Sequence, residues 1–166
     1  MSAARLGPDG VAALAVALGE PAVLGRYAAK VVRAPGSECW WWTGAVSGRG
    51  HGRIWLSAGR VVIAHRFAFA AVHGIDALLE AEVLGHRCDN PLCQRIGPGH
   101  VVVSSHTENR REWAARRQLA GSPLGDMRGA RGRSRALRDL ARGDPLDVTA
   151  ELARLRHEHG QQLSLW

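Results

Sequence analysis

Residues 86 to 100, HRCDNPLCQRIGPGH, put two cysteines and two histidines into one short stretch broken by Pro91, Gly97, Pro98 and Gly99. Four residues separate Cys88 from Cys93, and six separate Cys93 from His100. Turns of this kind gather soft sulfur and borderline nitrogen around one ion, the preference of tetrahedral zinc. Three ligands leave the shell open, and Cys39 is the one other cysteine in the chain. A Cys3His set of Cys39, Cys88, Cys93 and His100 closes it. The binding energy of a closed shell, on the order of 10 kcal/mol or more, becomes folding energy. Such a staple forces the segment at residue 39 against the knuckle at 88–100. His106 is the substitute ligand should His100 lie elsewhere, and buried cysteines beside a surface histidine are the competing reading. Three cysteines are an odd number, which speaks against a secreted disulfide framework.

The rest of the chain reads as α+β: a small zinc-stapled core with flanking helices and a basic C-terminal extension. Residues 1–34 form a helical segment, with Pro8-Asp9-Gly10 before a first helix and Gly19 to Pro21 between two short ones. The core spans 35–122. Its CWWWTGAVSGRGHGRIWLSAGRVVIAHRFAFAAVHG predicts short strands divided by glycine turns, then a helix from about Ala64 to Val72 that stops at Gly74. Val83 to His86 and Val101 to Val103 predict a strand into the knuckle and its return. Ser105 to Thr107 can cap a helix running from about Glu108 to Leu119, ended by Gly121 and Pro123. Residues 123–146 are Gly- and Arg-rich and predict a mobile linker, or a helix formed on nucleic acid. Residues 147–166 hold a last helix, ending at Gly160, and a QLSLW tail. Aromatic residues make up only 5% of the chain, so the core is expected to rest mainly on Val, Leu, Ile and Ala.

A net charge of +7 and a pI near 10.8 come almost wholly from arginine, which grips phosphate in a planar bidentate fork. A polyanionic partner, most simply nucleic acid, is what this implies. The contacts expected are Arg66, then Arg110, Arg111, Arg116 and Arg117 on the predicted helix, and Arg131, Arg133 and Arg135 in the extension. A GC-rich genome explains arginine over lysine but not the net charge. The apolar run from Val11 to Leu18 is broken at Gly19-Glu20-Pro21, far short of the roughly 20 residues a membrane span needs. The expectation is a soluble cytoplasmic protein of a bacterial or phage-infected cell.

His86 is surplus to the zinc set. On a strand, two residues from Cys88, it shares that residue's face. A neutral imidazole near its ordinary pKa of about 6.5 can take a proton from water. Asn109 offers a hard oxygen that suits Mg2+ rather than zinc. Base, divalent-metal ligand and Arg-rich helix are the minimum for phosphodiester hydrolysis, although a lone His and a lone Asn are more often structural.

The stretch from Cys39 to about Arg117 resembles the HNH endonucleases, the ββα-metal nucleases, and among them the His-Cys box homing endonucleases. CWWWTGA, GRGHGR, AHR, GHRCDNPLC, a later GH, and TENRR carry the resemblance, over about half the chain. It implies a Mg2+-dependent DNA endonuclease leaving 5′ phosphates. His86 would be the general base, Asn109 the catalytic Mg2+ ligand, and Cys39, Cys88, Cys93 and His100 the structural zinc ligands. Two departures stand out: QRIGPG is a longer loop than the family uses between its last Cys and His, and Gly85 stands where many members carry a second, Asp, ligand. Asn90 reads as a turn-former. A cation is also wanted where charge builds on the phosphate oxygens. Arg53 is the first candidate and Arg66 the second. The alternative from another class is a non-catalytic zinc-stabilised DNA-binding protein; an RNA-binding protein lacks identifiable aromatic platforms.

The final QLSLW resembles the motif by which bacterial replication proteins dock on the sliding clamp, with Gln162, Leu163, Leu165 and Trp166 as the anchors. A tail folded back onto an apolar groove of the chain itself is the competing reading.

Overall fold

The computed structural model describes residues 6–57, 59–119 and 121–161. The order of its elements is α1 (Pro8–Gly19), α2 (Pro21–Ala28), β1 (Val31–Arg33), β2 (Trp40–Trp42), β3 (Ala45–Val46), β4 (Gly52–Trp55), β5 (Val61–Ile63), α3 (Ala64–His73), α4 (Ile75–Glu80), β6 (Val83–His86), β7 (Val101–Ser104), α5 (His106–Arg117), α6 (Gly129–Arg142) and α7 (Pro145–Gln161). This is the α+β fold that the sequence predicts.

Pro8 and Pro21 open α1 and α2, where a missing N–H costs nothing. The two helices meet at a bend of 84°, and among the described residues no single helix is long and apolar enough to cross a membrane. Leu14 and Ala17 of α1 enter the core, where the helix packs on α3 and α4.

β1 and β2 pair antiparallel, with Val31 opposite Trp42. The other edge of β2 is taken by the knuckle: Trp42 N donates to Leu92 O at 3.0 Å and Gln94 N to Trp40 O at 2.8 Å. Backbone pairing thus brings Cys39 to Cys93, as the staple requires. Trp42 then anchors the antiparallel meander β3-β4-β5. A Cβ at Gly44 or Gly52 would come within 2.5 Å of its indole, so the ring lies flat on two glycine backbones. Trp41, Trp42 and Phe67 are among the largest fully buried side chains. The core of the described residues is mainly Leu, Val, Ile and Ala, as expected, with Trp41, Trp42, Phe67 and Phe69 set among them.

β6 and β7 form an antiparallel pair, Gly85 opposite Val102 and His86 opposite Val101. Ser105 follows, its Oγ accepting from Glu108 N at 3.0 Å to cap α5. The result is a strand-strand-helix corner with the cysteine knuckle as the connection between its strands.

The stretch 123–146, predicted as a mobile linker or nucleic-acid-induced helix, contains a short 3₁₀ turn (Pro123–Gly125) and the 14-residue α6, packed on α7 and against β2 and β3. Arg133, Ser134, Leu137 and Ala141 are its buried residues. They share one face at helical spacing, a stripe that frequent Gly and Arg hide in the sequence. One cluster of buried hydrophobic residues runs from Leu14 to Val148 and draws on all four predicted segments, including Leu137 and Ala141. The tail carrying Gln162, Leu163, Leu165 and Trp166 lies outside the described residues.

Candidate metal centre and histidine cluster

The ligand atoms of Cys39, Cys88, Cys93 and His100 all lie within 4.8 Å of one another. His100 Nδ1 is 3.6 Å from Cys93 Sγ and 3.8 Å from Cys39 Sγ. Tetrahedral zinc, with Zn–S of about 2.3 Å and Zn–N of about 2.0–2.1 Å, requires S···N separations of about 3.6 Å. The four residues fit the ion. Their electrostatics agree: hydrogen bonds from Cys88 and Cys93 pull the Cys39 thiol far down, while the same contacts push the Cys88 and Cys93 thiols up. Three packed sulfurs let one ionise at the expense of the others, a conflict that a dication removes. On the far side of the imidazole, the exposed Glu38 carboxylate lies 3.7 Å from His100 Nε2. Asn90 Oδ1 accepts from Leu92 N at 3.0 Å, the turn-forming role its sequence position suggests. His106 opens α5 and is not part of the cluster.

His86 ends β6, and Asn109 lies on the first turn of α5 behind it. A cavity of about 270 Å³ is lined by both, together with Gly85, His51, Asp89 and Trp113. Gly85 is what lets them share it, since a Cβ there would fall 2.8 Å from Asn109 Oδ1. His86 is half-buried, but its neighbours enclose the ring closely. Burial first, and then His51, push its pKa down to about 3, against an opposing pull from Cys39. An imidazole near 6.5 is therefore not what the fold creates.

Two further histidines converge there, and sequence reasoning assigned neither of them a role. His65 Nδ1 is 3.1 Å from His86 Nε2, with the rings edge-on at 86°. His51 lies tilted against both, with ring centroids 5.3 Å from His65 and 5.6 Å from His86. Burial, then His86, His51 and Arg66, hold His65 well below the usual range; burial and then Arg49 lower His51. The GHG and AHR triplets contain them, but only the β3-β4-β5 meander turning into α3 aims both at the end of β6.

The arginines divide. A second cavity, about 450 Å³, is lined by Arg49, Arg66, His51 and His65 and adjoins the first through Arg49, His51 and Leu84. Arg53, the first candidate for a phosphate-binding cation, alternates with buried Ile54 on β4, points to solvent and lines neither cavity. On α5, Arg110, Arg111 and Arg117 are exposed, the last over the Trp113 ring at 5.1 Å. Arg116 is committed to Asp89 at 2.9 Å and Glu112 at 3.0 Å. Arg131 and Arg135 are exposed on α6, whereas Arg133 is buried and donates to Asp89 O at 2.8 Å and to Pro123 O. The expectation of a DNA contact at Arg133 is corrected: α6 points that residue inward.

Two curated relatives come from Escherichia phage T7. Protein 2.8 is 37% identical over 79 residues, which is 47% of this chain and 50% of that protein. Protein 7.7 is 32% identical over 88 residues, 52% of this chain and 64% of that protein. The chain thus spans between half and two thirds of the relatives it matches. No family model matches the chain, and no solved structure does.

Proposed function

We propose that this chain is a Mg2+-dependent DNA endonuclease of the HNH type, with His86 as general base and Asn109 as the protein ligand of the catalytic ion. The observation that carries this reading is the shared cavity. A strand histidine and an amide oxygen from the helix that follows it line one hollow at a strand-strand-helix corner tied to a Cys3His cluster.

His86 takes a proton from the water that attacks the phosphorus in line, a role that needs an imidazole on a rigid element. Asn109 Oδ1 supplies a hard oxygen of the kind Mg2+ prefers. Bound there, the ion would offset the charge that builds on the phosphate and the leaving 3′ oxygen. Arg49, at the junction of the two cavities, and Arg66, in the larger one, hold the phosphate, in place of Arg53. Cys39, Cys88, Cys93 and His100 hold zinc as a staple outside the chemistry. The exposed arginines of α5 and α6 take the flanking backbone. Gln162 to Trp166 tether the enzyme to the sliding clamp, a part of the proposal that rests on sequence alone.

The test is incubation of zinc-loaded protein with supercoiled plasmid and Mg2+. Wild type is expected to nick or linearise it. His86→Ala and Asn109→Ala each lose roughly 100-fold or more, the usual worth of general acid–base catalysis, while zinc content and DNA binding stay unchanged. Intact plasmid after incubation with wild type overturns the reading.

A further inference from the structure

We infer, on the reading of His86 as the base, that His65 is a positioning residue. Its Nδ1 accepts a hydrogen bond from His86 Nε2–H, which locks the ring and fixes its tautomer.

The 3.1 Å separation of His86 Nε2 from His65 Nδ1 is a hydrogen bond in which one of the two nitrogens carries the proton. A neutral imidazole has one N–H and one lone pair, so the direction of this bond fixes the tautomer of both rings. Suppose His65 donated. His86 would then carry its own proton on Nδ1, an enclosed atom without a hydrogen-bond partner among the described residues. An orphaned N–H is the rarer and costlier fault in a protein interior than an under-used acceptor. In the opposite direction no N–H is stranded. His86 gives Nε2–H to His65, and His65 keeps its proton on Nε2, on a ring lining the larger, open cavity.

The surroundings favour an acceptor at residue 65. Burial and the neighbouring His86, His51 and Arg66 hold the His65 imidazole neutral, and only a neutral ring offers a lone pair. It is also rigidly placed, as the second residue of α3 between buried Ala64 and Phe67, while His86 is fixed by pairing with Val101. The bond joins helix to strand, so it holds the imidazole plane against rotation.

The experiment has two arms on the zinc-loaded protein. Long-range nitrogen–proton NMR of labelled histidines reads the tautomer: the Nε2–H form is expected at His86 in wild type and its loss in His65→Ala. Plasmid cleavage reads the consequence: His65→Ala lowers kcat about 10- to 100-fold at unchanged KM, the range found for partners that orient a functional group. His65→Gln, whose amide oxygen can accept the same bond, recovers most of it. His65→Phe repeats the loss with ring volume retained, should the smaller residue unsettle the fold. An Nδ1–H tautomer at His86 in wild type, or His65→Ala cutting at the wild-type rate, overturns the inference. A wild type that never cuts overturns the nuclease reading instead, and the NMR arm still decides the contact.

Discussion

Asn109 Oδ1 occupies the space that a Cβ on residue 85 would need: the two would stand 2.8 Å apart. The glycine is therefore part of the site, since it lets the amide of α5 lie against the backbone of β6 beside His86. Any side chain at 85 would make the Asn109 amide shift from this position.

Gly85→Ala is accordingly expected to displace the Asn109 side chain. Cleavage should fall at least tenfold, a loss of about 1.4 kcal/mol or more in transition-state stabilisation, with zinc content and unfolding midpoint close to wild type. Kinetics alongside metal analysis check it. Full activity in Gly85→Ala would show that Asn109 is not needed where it stands.

Zinc content should be about one ion per chain, held by Cys39, Cys88, Cys93 and His100. Cys88→Ser removes a ligand together with its folding energy and should aggregate or unfold, as should wild type treated with a strong chelator. Atomic absorption and circular dichroism measure the two effects. A folded, metal-free wild type would rule out the staple.

Arg133 should behave unlike its neighbours on α6. Removing its two bonds to carbonyl oxygens leaves part-buried acceptors unpaired, so Arg133→Ala should cost about 1–3 kcal/mol in denaturant unfolding. Neutralising exposed Arg131 and Arg135 should leave stability alone and flatten the salt dependence of DNA binding, by roughly one unit of slope for each phosphate no longer neutralised. Equal effects from all three would contradict the inward turn of Arg133.

Acid should destabilise the fold through His65. Its folded-state pKa is lowered, so below about pH 6.5 the unfolded chain binds a proton there that the native state refuses. Stability is therefore present above 6.5 and declines as pH falls toward the folded value. His65→Gln has no such proton to take up. Relative to it, wild type should lose about 1.4 kcal/mol between pH 7.5 and 5.5. Urea unfolding of the two proteins at both pH values tests this, and parallel pH curves would show that His65 titrates normally.

A peptide ending in QLSLW should bind bacterial sliding clamp at micromolar affinity, and the whole protein should do so through the same residues. Leu165→Ala with Trp166→Ala should abolish binding without altering plasmid cleavage in the absence of clamp. Binding that survives deletion of residues 162–166 would place the contact elsewhere.

The sequence by itself determined the metal cluster, the strand-strand-helix order and most helix ends. These are set by local chemistry: ligand spacing in the knuckle, Pro8 and Pro21 at helix starts, Ser105 as a cap, Gly74 with its φ of 89° as a stop. Cys39 was legible because no other cysteine could close the shell. Tertiary structure alone decided three further things. It brought His51 and His65 onto His86, because a meander and a helix from outside the knuckle converge there, and no spacing along the chain encodes that approach. It sorted the arginines, turning Arg133 inward while Arg131 and Arg135 stay in water, since burial depends on which face of α6 meets the core. And it gave Gly85 its meaning, because a missing Cβ matters only once Asn109 packs where that atom would have been.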